Sequence, residues 1–240
     1  MLKKLFKKII IKILRFEAKI ILARFKPKII AISGTVGKTS AKEAIALVLG
    51  SEFNIRKSEK SYNSEFGVPL TVIGAKTGWN SLSKWLGVIF KGFKVFLLDM
   101  DYPEYLILEM GVDMPGDMER MMAWIKPDIG VITAFGSVPV HVEQFEEPED
   151  LMKEKWKLIE NLKDDDIAVL NNDDKTIVSY GKKLKIKTAT FGFFESADIC
   201  ASNYKINSDG IVFKISYGGS IAPVKLNMVF GRQNVYTAMS

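Results

Sequence analysis

The stretch Ile30-Ala31-Ile32-Ser33-Gly34-Thr35-Val36-Gly37-Lys38-Thr39-Ser40 decides the fold. Lys28 to Ile32 is a short apolar run ending in Ser-Gly, the pattern of a buried strand. Thr39 to Leu49 has helical spacing, with Ala41, Ala44, Ile45, Val48 and Leu49 on its expected inner face. A strand that turns through glycines into a helix aims several backbone N–H groups at one point, at the positive end of the helix dipole. Gly34 and Gly37 allow the close approach and unusual dihedrals such a turn needs. Lys38 is placed to reach the outer phosphates of a nucleotide, and the Thr39 hydroxyl is a natural Mg²⁺ ligand. The spacing departs from G-x-x-x-x-G-K-S/T, whose first glycine would fall at Ile32. Gly-Lys-Thr alone is weak evidence, and the flanking strand and helix make it specific. Gly34, Thr35, Val36, Gly37, Lys38, Thr39 and Ser40 are therefore the expected nucleotide-binding loop.

Working outward, strand and helix patterns alternate. Asn54–Lys57, Tyr105–Met110, Ile129–Thr133, Ile167–Leu170 and Ile186–Phe191 read as strands. Gly116–Trp124, Glu149–Leu162 and Asp173–Tyr180 read as helices, Leu70–Gly74 as a strand or a helix start, and Leu82–Phe90 as a helix. This alternation predicts an α/β, three-layer domain with a mostly parallel sheet. From about residue 198 to 229 three alternating segments, split by Ser-Asp-Gly and Gly-Gly, predict a small antiparallel sheet. Gly231–Ser240 begins a further helix.

The 240 residues are 48% apolar, ample for a packed core. The single cysteine, Cys200, rules out an internal disulfide, makes a Cys-built zinc site implausible, and fits a reducing, cytoplasmic setting. It reads as a small buried hydrophobe. The net charge of +6 is unevenly placed. Residues 1–26 hold seven Lys, two Arg and one Glu, a net +8, which leaves −2 for the other 214. The basic character is thus local and gives no reason to expect a nucleic-acid groove. Residues 1–27 predict an amphipathic helix, with Leu2, Leu5, Phe6, Ile9, Ile10, Ile13 and Phe16 on one side and lysines between. Such a helix can lie on an anionic membrane surface, pack on its own domain with lysines reaching water, or bind a partner. A signal peptide is not expected, because lysines interrupt the apolar run and no small-residue cleavage site follows.

Chemistry-bearing residues sit at strand ends. Glu109 closes a buried strand, where a carboxylate can hold Mg²⁺ beside a triphosphate. His141, the sole histidine, lies in the loop after Ile129–Thr133. Metal binding, substrate contact and plain loop packing are all open for it. Composition alone places Lys153, Lys155 and Lys157 on a solvated helix face. Asn171 and Asp173 follow a strand where a base or ribose could be met, and a helix cap at Asn172 or Asp173 explains the same residues equally well.

Taken together, several stretches resemble the central ATP-binding domain of the Mur ligases. They are 32–43 around the loop, Tyr62-Asn63-Ser64-Glu65-Phe66-Gly67-Val68-Pro69-Leu70-Thr71, Leu108-Glu109-Met110-Gly111, His141-Val142-Glu143-Gln144-Phe145, Val169-Leu170-Asn171-Asn172-Asp173-Asp174 and Gly231-Arg232-Gln233-Asn234-Val235-Tyr236-Thr237-Ala238. The resemblance runs from about Lys28 to the end. It implies ATP and Mg²⁺ as cofactors and a peptide ligase of cell-wall precursor synthesis working through an acyl phosphate. The implied partners are a precursor carrying a carboxylate and an amine-bearing amino acid or dipeptide. By the same resemblance Lys38 steadies the β- and γ-phosphates, and Thr39 and Glu109 hold one Mg²⁺. His141 helps hold a second, Lys155 falls where the family carries a carbamylated lysine, Asn171 meets the adenine, and Asn234 lies in a hinge-proximal nucleotide segment. Ala134 stands where the family commonly has Asn, and Gln233 where a His is usual. Family members also carry a domain before the loop and another after the region where this chain ends, so 28–240 is expected to be the ATP-binding core. Two other readings are open: a phosphate-loop NTPase docked on a membrane through its basic N-terminus, and a nucleotide-binding partner module without turnover.

Overall fold

The computed structural model describes residues 2–59, 62–79, 81–136 and 144–240, apart from the side chains of residues 2–7. Helix α1 (Leu2–Phe25) leads through Pro27 into strand β1 (Lys28–Ser33). There follow α2 (Lys38–Leu49), β2 (Ile55–Lys57), α3 (Gly67–Ile73), α4 (Leu82–Leu98), β3 (Tyr105–Glu109), α5 (Asp117–Met122) and β4 (Ile129–Ile132). Then come α6 (Pro148–Glu160), β5 (Ile167–Asn171), α7 (Lys175–Gly181), β6 (Lys187–Gly192), β7 (Ile199–Asn207), β8 (Gly210–Tyr217), β9 (Ser220–Asn227) and α8 (Arg232–Met239).

The strands form one sheet in the order β2-β3-β1-β4-β5-β6-β7-β8-β9. Every pair from β2 to β7 is parallel, and β7, β8 and β9 are antiparallel. The small antiparallel sheet expected at about 198–229 is present and continues the main sheet. The link is narrow: β6 and β7 register only through Phe191 with Ile199 and Gly192 with Cys200. β1 lies at the centre, between β3 and β4, and is buried along all but its first residue. The chain places β2 and β3 on one side of β1 and β4 on the other, so a crevice opens at the carboxyl ends of β1, β3 and β4.

One face of the sheet is covered by the larger core, which includes Leu14, Ile21, Leu70, Leu106, Met121, Leu158 and Ile177. α2 covers the other face through Ala41 and Ala46, with Ile45 and Leu49 packed alongside. Val48, expected on the inner face of α2, is 70% exposed. A third cluster joins Phe191, Ala201, Ile211 and Phe213 to Val235 and Met239 of α8. α1 packs on the domain, burying Ile10, Leu14, Ala18 and Ile21, and its neighbours are α3 and α4. Glu17, also on that buried stripe, has both carboxylate oxygens without a hydrogen-bond partner among the described residues. Burial raises its pKa to about 7. Cys200 is buried and its thiol is pushed up by burial first. Among the described residues no helix is long and apolar enough to cross a membrane.

Candidate nucleotide site

The loop between β1 and α2 is built from backbone constraints. Gly34 has φ +136°, and a Cβ there would sit 2.3 Å from Thr133 Oγ1 at the end of β4. Gly37 caps α2 with φ +88°. The loop is tied to the next strand: Thr35 N–H donates to the Ala134 carbonyl (2.7 Å), and Thr133 Oγ1 donates to the carbonyls of Val36 (2.6 Å) and Ser33 (3.2 Å). The first N–H groups of α2 have no partner within the helix, so they face the crevice with the positive end of the dipole. This is the geometry that binds phosphate.

Charged groups gather around that point. Lys38 Nζ donates to the carbonyls of Gly34 (2.9 Å) and Thr35 (3.2 Å). Burial lowers its pKa, and Glu109 and Asp113 oppose that shift. Thr39 Oγ1 donates to Glu109 Oε2 at 3.0 Å, and Asn63 Nδ2 donates to Glu109 Oε1 at 3.5 Å. Lys42 Nζ lies 3.4 Å from Glu109 Oε2 and 3.5 Å from Glu43 Oε1. The Lys42 side chain is fully buried, and these are ion-pair distances without hydrogen-bond alignment. Lys155, on α6, is only 4% exposed. Its Nζ donates to Thr35 Oγ1 at 3.2 Å. Burial first, then the neighbouring Lys38, lowers its pKa to about 8, against a raising influence from Asp113.

Beside the loop lies a cleft of about 250 Å³. Val36, Gly37, Thr133, Ala134 and Gly136 form one side, Asn171, Asp173 and Asp174 the floor, and Gln233, Tyr236 and Thr237 of α8 the far wall. Asn171 Nδ2 donates to the Thr133 carbonyl (2.8 Å), and its Oδ1 accepts from Asp173 N–H (2.9 Å). Asp173 accepts from Phe193 N–H (2.7 Å) and from the Tyr236 hydroxyl (2.8 Å), which fixes α8 against β6. Burial first, then Asp173, raises the Tyr236 pKa. Asp174 caps α7, accepting from Thr176 and Ile177 N–H. Its other oxygen accepts from Phe135 N–H (2.8 Å).

The structure thus brings Gly34, Thr35, Val36, Gly37, Lys38, Thr39, Glu109, Lys155 and Asn171 to one crevice. Ser40, the third residue of α2, is exposed. Asn234 is not part of the cleft wall; its amide donates to the Phe230 carbonyl at 2.7 Å, and its neighbours Gln233, Tyr236 and Thr237 do the lining. The α7 cap is Asp174 rather than Asn172 or Asp173, because only Asp174 sits one residue before the first helical turn. Lys155 is not on the solvated face expected from composition: α6 turns Glu154, Lys155 and Trp156 inward while Lys153 stays outside. His141 lies outside the described residues. Lys42, Asn63 and Thr133 escaped the reading of isolated residues. For Lys42 a signal existed, since it follows Thr39 by three residues and so shares its helix face.

Residues 91–240 match the Mur ligase middle domain. The chain belongs to the Mur ligase family. The match begins after the phosphate loop, but relatives extend the likeness upstream. The chain is 24% identical over 223 residues to the UDP-N-acetylmuramoyl-tripeptide–D-alanyl-D-alanine ligase of Bacillus subtilis (strain 168), covering 93% of this chain and 42% of that protein. It is 28% identical over 179 residues to the ligase of the same name from Rickettsia prowazekii (strain Madrid E), covering 73% and 34%. Among solved structures, the Thermotoga maritima MurF ligase in complex with ADP superposes with a TM-score of 0.75 at 25% identity, covering 95% of this chain and 47% of that one. An Acinetobacter baumannii MurF shares the fold with a TM-score of 0.74, at 17% identity, over 96% of this chain and 44% of that one. This Mur ligase domain therefore spans under half the length of the curated relatives it matches.

Proposed function

We propose that this Mur ligase domain is the nucleotide-binding core of an ATP-dependent amide-bond ligase acting on a cell-wall precursor. The observation that carries the reading is the buried Lys155 held 3.2 Å from Thr35 of the phosphate loop. A plain phosphate-binding loop has no need of a second buried lysine beside the first. A lysine with a lowered pKa has the neutral amine that carbamylation requires, and the product is an anion able to assist a metal.

The donor set suits Mg²⁺. Thr39 and Glu109 place a hydroxyl and a carboxylate oxygen within 3.0 Å of each other. Both are hard oxygen ligands, and Mg²⁺ is commonly held by one or two such groups, with phosphates and water completing the shell. No cluster of three His, Cys, Asp or Glu that could hold a metal occurs among the described residues. That fits an ion shared with a nucleotide better than a dedicated protein cage. When bound, Mg²⁺ neutralises charge on the outer phosphates. Loop amides from Gly34 to Ser40 hold the phosphates, Lys38 reaches their outer oxygens, and Asn171 and the α8 wall border the base. Asn234 supports that wall through Phe230. Carbamylated Lys155, with His141, would serve a second ion.

In the reaction class proposed, a substrate carboxylate oxygen takes the γ-phosphoryl group from ATP and ADP leaves. An amine nitrogen then attacks the acyl carbon, inorganic phosphate leaves, and the amine loses a proton. The test is calorimetry with Mg²⁺-ATP, followed by phosphate release against pairs of carboxylate and amine substrates in the protein joined to any further domains its gene encodes. Uptake of ATP that Lys38→Ala abolishes, with release that needs both acceptors, is expected. Release without any acceptor would favour a plain NTPase. No Mg²⁺-dependent uptake by folded protein overturns the reading.

A further inference from the structure

We propose that α1 and α4 together form a docking surface for the anionic face of a lipid bilayer. The two helices meet along a defined seam. Glu17 of α1 lies against Gly92 of α4, where a Cβ would approach its Oε2 to 2.3 Å. Farther along, Arg24 lies over the Phe96 ring, 5.6 Å from its centroid. These contacts fix which side of each helix faces the other. Arg15, 4.0 Å from Glu65, marks the opposite flank of α1. Lys91, which donates to the Gly74 carbonyl, marks the opposite flank of α4.

Helical spacing then places the remaining residues. On α1 the outward strip beside α4 carries Ile9 and Phe16, both exposed. On α4 the outward strip beside α1 carries Leu86, Phe90, Phe93 and Leu97, and Phe90 is 73% exposed. The two strips adjoin, so the apolar surface is continuous across the pair. Lysines lie beyond it on both sides: exposed Lys8, Lys12 and Lys19 on α1, and Lys84 and Lys94 on α4. The only acid in either helix is the buried Glu17.

An apolar patch of this extent marks an interaction site. Its charge decides among occupants. A second copy would set lysines against lysines, and a neutral apolar partner would leave them without counter-charge. An anionic bilayer takes the aromatic and leucine side chains at the headgroup boundary and the lysines at its phosphates. Neither helix needs to span, in agreement with the absence of a spanning helix among the described residues. The new element is α4: the basic N-terminus supplies one flank, and α4 supplies most of the apolar surface and the other flank.

The test is co-sedimentation of the full chain with vesicles of phosphatidylcholine mixed with phosphatidylglycerol, against pure phosphatidylcholine vesicles. Pelleting with the mixed vesicles only is expected. It should weaken as salt rises from about 0.1 M to about 1 M, where the screening length falls from about 10 Å to about 3 Å. Phe90→Asp with Phe93→Asp, and separately Lys12→Glu with Lys94→Glu, should each reduce vesicle affinity about tenfold or more. These positions are exposed and are neither part of the cleft lining nor bonded to the loop, so Mg²⁺-ATP uptake, the check on folding, should not change. The inference is independent of the ligase reading, because vesicle pelleting needs no nucleotide. Failure of folded chain to pellet with anionic vesicles overturns it, as does equal affinity for neutral ones. A concentration-dependent dimer abolished by the Phe90 and Phe93 changes would assign the patch to a second copy and also overturn it.

Discussion

At the scale of single residues, Gly34 and Lys155 make the site what it is. Gly34 holds φ +136° with Thr133 pressed against its missing side chain. Gly34→Ala must shift both the loop and the end of β4. Titration calorimetry should show nucleotide affinity falling about tenfold or more, as misplaced donors leave phosphate oxygens unpaired. Lys155 supplies a pH signature. Its pKa is lowered to about 8 from an ordinary value near 10.5. Below about pH 8 the amine is protonated and cannot react with CO₂, so carbamate should accumulate as pH rises through 8. A ¹³C-bicarbonate NMR signal that grows from pH 7 to 9, and is missing in Lys155→Arg, is expected. Folding follows the same linkage. The unfolded lysine binds more protons between about 8 and 10.5, so this group's contribution to stability grows as pH rises through that window. The loop residues were legible in sequence because their spacing encodes backbone shape. Lys155 was legible only through resemblance, since one of three alternating lysines on a helix carries no mark of the one that turns inward. Lys42 differs, because its three-residue spacing from Thr39 on one helix face was a signal in the sequence.

At the scale of elements, α7 and α1 carry the informative strains. Asp174 caps α7 with one oxygen and ties Phe135 and Gly136 N–H with the other. Asp174→Ala removes the cap and the tether together. A loss of about 1–2 kcal/mol is expected from the cap alone, read as a shift in the urea midpoint. The buried, unpartnered Glu17 on α1 sets a second expectation. Its folded pKa of about 7 lies above its ordinary 4.5. The native protein therefore holds a proton that the unfolded chain releases. Stability is greatest below about pH 4.5 for this group and falls as pH rises towards and through 7. The loss should be roughly 2–3 kcal/mol, and Glu17→Gln should flatten it in urea titrations at pH 5 and pH 8. Elements with one strong period, such as β1, β3 and α6, were readable within a residue or two. The inner face of α2 was misjudged at Val48 because an apolar residue on a helix says nothing of what lies opposite. The contacts among α1, α3 and α4 bring together residues some 75 positions apart, which no local pattern encodes.

At the scale of the whole molecule, the central position of β1 makes the site and the fold one cooperative unit. A ligand that binds only the folded state stabilises it by mass action. Mg²⁺-ATP at about 100 times its dissociation constant should add about 2.7 kcal/mol, seen as a rise in Tm that Lys38→Ala removes. The nine-stranded order, with its change from parallel to antiparallel, was foreseen as two parts because sequence shows where alternation changes but not whether two strands register. Their register has a mechanical meaning. Only two residue pairs, braced by Asp198 bonded to Thr190, connect the parallel strands to the meander. α8 straddles that seam and carries one wall of the cleft: Val235 and Met239 pack with Phe191 as well as with the meander, the Tyr236 hydroxyl donates to Asp173, and the helix also touches α2. That wall is therefore anchored on both sides of a narrow seam, so a change that loosens the meander should also alter the width of the groove.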